Sequence, residues 1–99
     1  MKRIRHLAVL GRVRLTHKAR LELAELAIGL GASDVPALLA GLDTGNAASR
    51  YRSSLTGEWL HVFHPVAAGV RLYIKVVLRH HCVVVSFHED ESTEESHEG

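Results

Sequence analysis

Val70-Arg71-Leu72-Tyr73-Ile74-Lys75-Val76-Val77-Leu78-Arg79 alternates in chemical character more regularly than any other stretch of the chain. Successive side chains of a strand point to opposite faces. Val70, Leu72, Ile74, Val76 and Leu78 therefore share one face, and Arg71, Tyr73, Lys75, Val77 and Arg79 share the other. The aliphatic row is the face to bury, since each such side chain taken fully out of water contributes about 1.5–3 kcal/mol. That register turns Arg71, Tyr73, Lys75 and Arg79 outward together.

The neighbouring segments read as partners of this strand. Downstream, His80-His81 is a tight connection and Cys82–Phe87 is a valine-rich strand. Upstream, Trp59 to Phe63 alternates, with Trp59, His61 and Phe63 on one face and Leu60, Val62 and His64 on the other. Pro65 ends that strand and Ala67-Ala68-Gly69 makes the turn. Arg50–Leu55 reads as a fourth strand at an edge, preceded by a turn at Thr44-Gly45-Asn46. The first part of the chain has helical spacing instead. Residues 2–10 form a short basic helix with Ile4, Leu7 and Leu10 on one side, stopped by Gly11. Thr16 caps a second helix that Gly29 and Gly31 end. Ser33 caps a third, with Pro36 in its first turn and Val35, Leu38, Leu39 and Leu42 as its apolar face. Helices first and strands afterwards is an α+β order, with the N-terminal helices packed on one face of a small antiparallel sheet.

Ninety-nine residues, 46% hydrophobic and 23% charged, make one small domain with no room for a second core. The apolar runs are too short for a membrane span or a signal segment. A single cysteine, Cys82, excludes an internal disulfide and a multi-cysteine zinc site, and a reducing, cytoplasmic setting is the default. The near-neutral net charge hides an asymmetry. Residues 1–88 carry twelve Lys and Arg against five acids, a net +7, whereas residues 89–99 carry six acids and no Lys or Arg. Residues 1–88 are thus expected to form the domain and 89–99 a disordered acidic tail. A +7 body attracts polyanions, of which nucleic acid is the commonest.

The outward face of the alternating strand outlines a phosphate-binding and base-stacking surface. Arg50-Tyr51-Arg52-Ser53-Ser54 adds guanidiniums, a phenol and hydroxyls, and Glu58, His61, His64 and His88 add proton carriers. Such a set suits cleavage of RNA through the ribose 2′-hydroxyl. That reaction needs a base for the hydroxyl proton, an acid for the leaving 5′-oxygen, and cations over the phosphorane. The substrate carries its own nucleophile, so neither metal nor cofactor is required. Imidazole is the natural proton carrier, whereas Arg52 is suited to clamping phosphate. His80-His81-Cys82 offers three ligand types in a row, but consecutive strand residues face opposite ways, and no paired-ligand motif accompanies them. Cys82 reads as buried and inert, and Trp59 and Phe63 as core.

Several stretches together resemble the MqsR family of bacterial toxins, ribonucleases (mRNA interferases) of the wider RelE-like group. They are Gly11-Arg12-Val13-Arg14-Leu15-Thr16, Ala24–Leu26, Tyr51-Arg52-Ser53, Trp59 with Val62 to Pro65, Leu72-Tyr73-Ile74-Lys75, and Val83-Val84-Val85-Ser86-Phe87. The resemblance implies a RelE-like fold, metal-independent mRNA cleavage, and inhibition by a cognate antitoxin with zinc and helix-turn-helix domains, through which operator DNA is bound. Tyr73 matches a family tyrosine. Arg52 and His88 stand where the family has lysines, and Leu60 where it has glutamine.

The expected catalytic residues are Arg52, His61, Tyr73 and His88, with Arg50, Arg71, Lys75 and Arg79 guiding the RNA backbone. His61 is the expected base, His88 or Tyr73 the acid, and Arg52 the transition-state cation. No metal or cofactor is expected. The alternative is a RelE-like regulator that binds nucleic acid or antitoxin without cleaving, and a small His-rich metal carrier is a third reading.

Overall fold

The computed structural model describes residues 2–42 and 47–90. The expected turn at Thr44-Gly45-Asn46 and the tail from residue 91 lie outside them. The elements run α1 (Lys2–Val9), β1 (Val13–Leu15), α2 (His17–Leu26), a 3-10 turn (Ala32–Asp34), α3 (Val35–Ala40), β2 (Ala47–Arg52), β3 (Trp59–Phe63), β4 (Val66–Ala67), β5 (Val70–Leu78) and β6 (Cys82–Glu89). The class is α+β.

Local chemistry accounts for most helix boundaries. Thr16 caps α2, its hydroxyl accepting from Ala19 N at 3.1 Å. α2 stops at Leu26 because Ala27 takes the left-handed conformation, φ 51°, ahead of the glycines expected to end it. The turn into α3 is held by Asp34 rather than by Ser33: Asp34 Oδ2 accepts from Gly31 N at 2.8 Å. Pro36 occupies the first turn of α3, where a missing N–H costs nothing.

The sheet is mixed, in the order β1-β6-β5-β3-β2, with β4 paired to β5. β3, β5 and β6 form the expected antiparallel meander. The expectation of a purely antiparallel sheet fails at β1, which pairs with β6 in parallel, Val13 opposite Cys82 and Leu15 opposite Val84. Three residues show no readable period, and their partner strand lies at the other end of the chain. At the opposite edge, β2 ends at Arg52, and Ser53 to Gly57 form the turn into β3, Ser53 N donating to Glu58 O at 2.8 Å.

The helices bury Ile4, Leu7, Leu23, Val35 and Leu39 against Leu72, Ile74, Val76, Cys82, Val84 and Phe87 of the sheet. Leu72, Ile74 and Val76 are fully buried, as the alternation of β5 predicts. Val77 departs from it. It is buried with Val62 on the opposite face, so that face carries a small apolar patch. In β6, Val84 and Phe87 both reach the core three positions apart. The ladder shifts register between Lys75 and Val76, leaving Val85 as an extra residue. This bulge sets His88 directly across from Tyr73.

The folded body does not end at residue 88. β6 includes Glu89, and Asp90 is buried, its N–H donating to Arg71 O at 2.9 Å. Among the described residues no helix is long and apolar enough to cross a membrane.

Candidate functional site

Directly paired residues on neighbouring strands point to the same side of a sheet. Tyr73 pairs with His88, Lys75 with Val62, Val77 with Leu60, and Leu60 with Tyr51. These side chains share the face opposite the aliphatic core row, a face that α2 borders at β6, where Lys18 Nζ donates to Ser86 Oγ at 3.0 Å. His61 pairs with core residue Val76 and with Arg50, and Trp59 pairs with Arg52. Those four lie on the helix side, beyond the helices' cover. The sequence-derived set is therefore divided: Tyr73, His88, Lys75 and Arg71 are together, while Arg52, His61 and Arg50 are behind them.

Aromatic and cationic groups are closely spaced on the first face. The Tyr73 and His88 rings stack, centroids 4.7 Å apart and planes 7° from parallel. His64 meets the edge of Tyr73 at 5.6 Å. The Lys75 ammonium lies 5.9 Å from the centre of the Tyr73 ring and 5.6 Å from that of Tyr51. A hydrogen bond to Tyr51 holds the Lys75 pKa above its ordinary value, against the opposing effect of burial, so Lys75 is a cation at neutral pH. Lysine and imidazole at one phenol can hold a phosphate and move a proton beside it.

Asp90 closes one end of this cluster. Its Oδ2 lies 3.0 Å from His64 Nδ1 and 3.0 Å from Arg71 Nε. Arg71, expected to guide RNA, is therefore already engaged by a carboxylate. Arg79 is engaged likewise. Its Nε and Nη2 donate to Glu58 at 2.9 and 2.8 Å, and Glu58 is correspondingly held below the ordinary carboxylate range. Composition alone assigns Asp90 to the acidic tail; its place beside Arg71 depends on the bulge in β6. Beyond His88, Glu22, Glu25 and Glu89 line a cleft of about 460 Å³, with Lys18 Nζ 3.9 Å from Glu22.

Trp59, expected in the core, is 45% exposed, whereas Phe63 is buried as expected. Arg50 and Arg52 lie 4.6 and 5.5 Å from the centre of the Trp59 ring. His61 beside them is held below its ordinary pKa, first by burial and then by nearby positive charge that includes Arg50. Cys82 is buried and its thiol pushed up to about 12. Among the described residues no group of three or more His, Cys, Asp or Glu is placed to hold a metal ion.

The family model described as motility quorum-sensing regulator, toxin of MqsA, matches residues 1–89. No curated protein matches the chain.

Proposed function

The chain belongs to the MqsR family of toxins, the toxin side of a toxin–antitoxin pair, and from that premise we propose that it is a metal-independent endoribonuclease acting on mRNA. The supporting observation is the cluster at Tyr73, with His88 stacked on its face, His64 at its edge and Lys75 beside it. We read the sheet with its helices on one face as RelE-like.

In this reading the scissile phosphate lies against Lys75 and Tyr73. One of the two imidazoles takes the 2′-hydroxyl proton, the 2′-oxygen attacks phosphorus, and the other imidazole or the Tyr73 hydroxyl protonates the departing 5′-oxygen. Lys75 offsets the charge that grows on the phosphorane. The products are a 2′,3′-cyclic phosphate and a 5′-hydroxyl. His64 thus takes the place expected for His61, and Lys75 the place expected for Arg52, because those two side chains lie on the other face. The proposed protein partner is an antitoxin of the MqsA kind.

The test is incubation of the purified protein with defined single-stranded RNA in EDTA, followed by mapping of the cut ends. Cyclic phosphate termini support the reading. Intact RNA, together with growth unimpaired by expression without an antitoxin, supports the non-cleaving regulator instead. Leu60 favours that second reading, because it puts an apolar group on the cluster's face where the family has a hydrogen-bonding one.

A further inference from the structure

The helix-side face of β2 and β3 carries chemistry that the Tyr73 cluster does not use. Arg50, Arg52 and Trp59 lie there together, the two guanidiniums 4.6 and 5.5 Å from the centre of the indole. The hairpin builds this arrangement by register: Arg50 opposes His61 and Arg52 opposes Trp59, so all four side chains fall on one side. Arg52 is braced, its Nε donating to Gly57 O at 3.0 Å. Gly57 holds φ +75° in the turn, a conformation that L side chains rarely adopt. Next to the stack is a depression of about 260 Å³, lined by Arg50, Trp59, His61, Leu78, Gly57 and Glu58. Glu58, the one acid of that lining, is held by two hydrogen bonds from Arg79.

We infer that Arg50, Arg52 and Trp59 form a second, base-stacking subsite that holds single-stranded RNA leaving the Tyr73 centre. The inference rests on the ribonuclease reading and extends it. Planar guanidiniums on an indole present both a π-face for a nucleobase and donors for the adjoining phosphate, the combination single-stranded RNA requires. An acidic peptide would use the charge but not the stack. Connectivity supports the same occupant. β2 is the edge strand, and its side chains alternate. Tyr51 joins Lys75 on the catalytic face, while its neighbours Arg50 and Arg52 turn to the other. A flexible polyanion lying along Tyr73, Lys75 and Tyr51 therefore has only one strand's width to cross before meeting Arg50 and Arg52.

Trp59 is the chain's single tryptophan, so its emission reports this subsite directly. The experiment titrates the protein with a short single-stranded RNA, 2′-O-methylated throughout so that it cannot be cut, and follows tryptophan emission alongside a gel-shift measurement of binding. Saturable quenching is expected. Arg50→Lys keeps the charge but loses the plane, and should weaken binding about tenfold and reduce the quenching. Arg52→Lys is the parallel variant should the first fail to fold. RNA that binds by gel shift while tryptophan emission and the Lys variants' affinities stay unchanged overturns the subsite and leaves the ribonuclease reading intact. Equal quenching by a Glu-rich peptide also overturns it, since the site would then read charge alone. Absence of RNA binding overturns the subsite, and the mapped cut ends decide independently whether the ribonuclease reading falls with it.

Discussion

Asp90 Oδ2 stands 3.0 Å from His64 Nδ1, and the same oxygen stands 3.0 Å from Arg71 Nε. The carboxylate is buried, whereas Arg71 is half exposed. One acid thus sits against both an imidazole at the edge of Tyr73 and the guanidinium of Arg71. In the proposed mechanism a carboxylate beside Nδ1 would favour the proton there and free Nε2 for the 2′-hydroxyl. Asp90→Asn can instead present an amide N–H to Nδ1 and reverse the tautomer. Cleavage is expected to fall at least about tenfold, while RNA binding holds or tightens because a negative charge has gone. A fall in cleavage that merely follows lost binding or lost folded protein would show that Asp90 positions nothing.

Tyr73→Phe separates the phenol's hydroxyl from its ring. The stack on His88 needs only the ring, so the fold and the His88 position should persist. Cleavage is expected to drop by about a hundredfold or more if the hydroxyl serves the reaction, with thermal unfolding little changed. An unaltered single-turnover rate would restrict Tyr73 to holding His88 in place.

β5 was legible because a long period-2 pattern with an aliphatic face admits one burial, and Leu72, Ile74 and Val76 bury as read. Thr16 and Pro36 were legible because caps are local chemistry. β1 was not, since Val13-Arg14-Leu15 becomes a strand only through parallel pairing with β6. The site was legible in part. Tyr73, Lys75 and His88 meet, but whether His61 or His64 joins them depends on how β3 registers against β5, and a one-residue slip would exchange the faces. The bulge at Val85 has no local signal, whereas Phe63, read as core and buried, already places His61 on the helix side. Residue type alone nonetheless sets Arg52 and His61 with side chains that lie on the other side of the sheet, and the acidic run keeps Asp90 in the tail.

Cys82 offers a clock for unfolding. Its thiol is fully buried in the core, and burial pushes its pKa up to about 12, so thiolate is negligible at neutral pH in the folded state. Alkylation by iodoacetamide should be slow in native buffer and should accelerate along the urea unfolding curve. Labelling already fast in the absence of urea would mean that the β1–β6 end opens locally.

The β4–β5 hairpin carries a local cost that one substitution should relieve. Ala68 and Gly69 both hold positive φ, 53° and 78°, between the paired residues Ala67 and Val70. Two consecutive left-handed residues are the geometry of a type I′ turn, which favours Asn-Gly. An alanine in that region costs about 1–2 kcal/mol. Ala68→Asn should recover about 1 kcal/mol, read as a higher urea midpoint at unchanged slope. A lower midpoint would contradict this account of the turn.

His61 gives the fold a pH dependence of definite sign. Burial first, and then positive charge that includes Arg50, hold its imidazole below the ordinary value, so the folded protein disfavours protonated His61. The unfolded chain protonates it near about pH 6.5. Between that value and the lower folded one, the unfolded state binds more protons, and stability therefore falls as the pH falls. Other groups contribute to the total slope, so the comparison is with His61→Gln, which cannot titrate. Moving from pH 7 to about pH 5.5, on either side of the unfolded value, should lower the urea midpoint of the wild type more than that of the variant. Equal losses in the two proteins would mean that His61 is as easily protonated in the fold as in water, and that the Arg50–Trp59–His61 corner is more open than its geometry indicates.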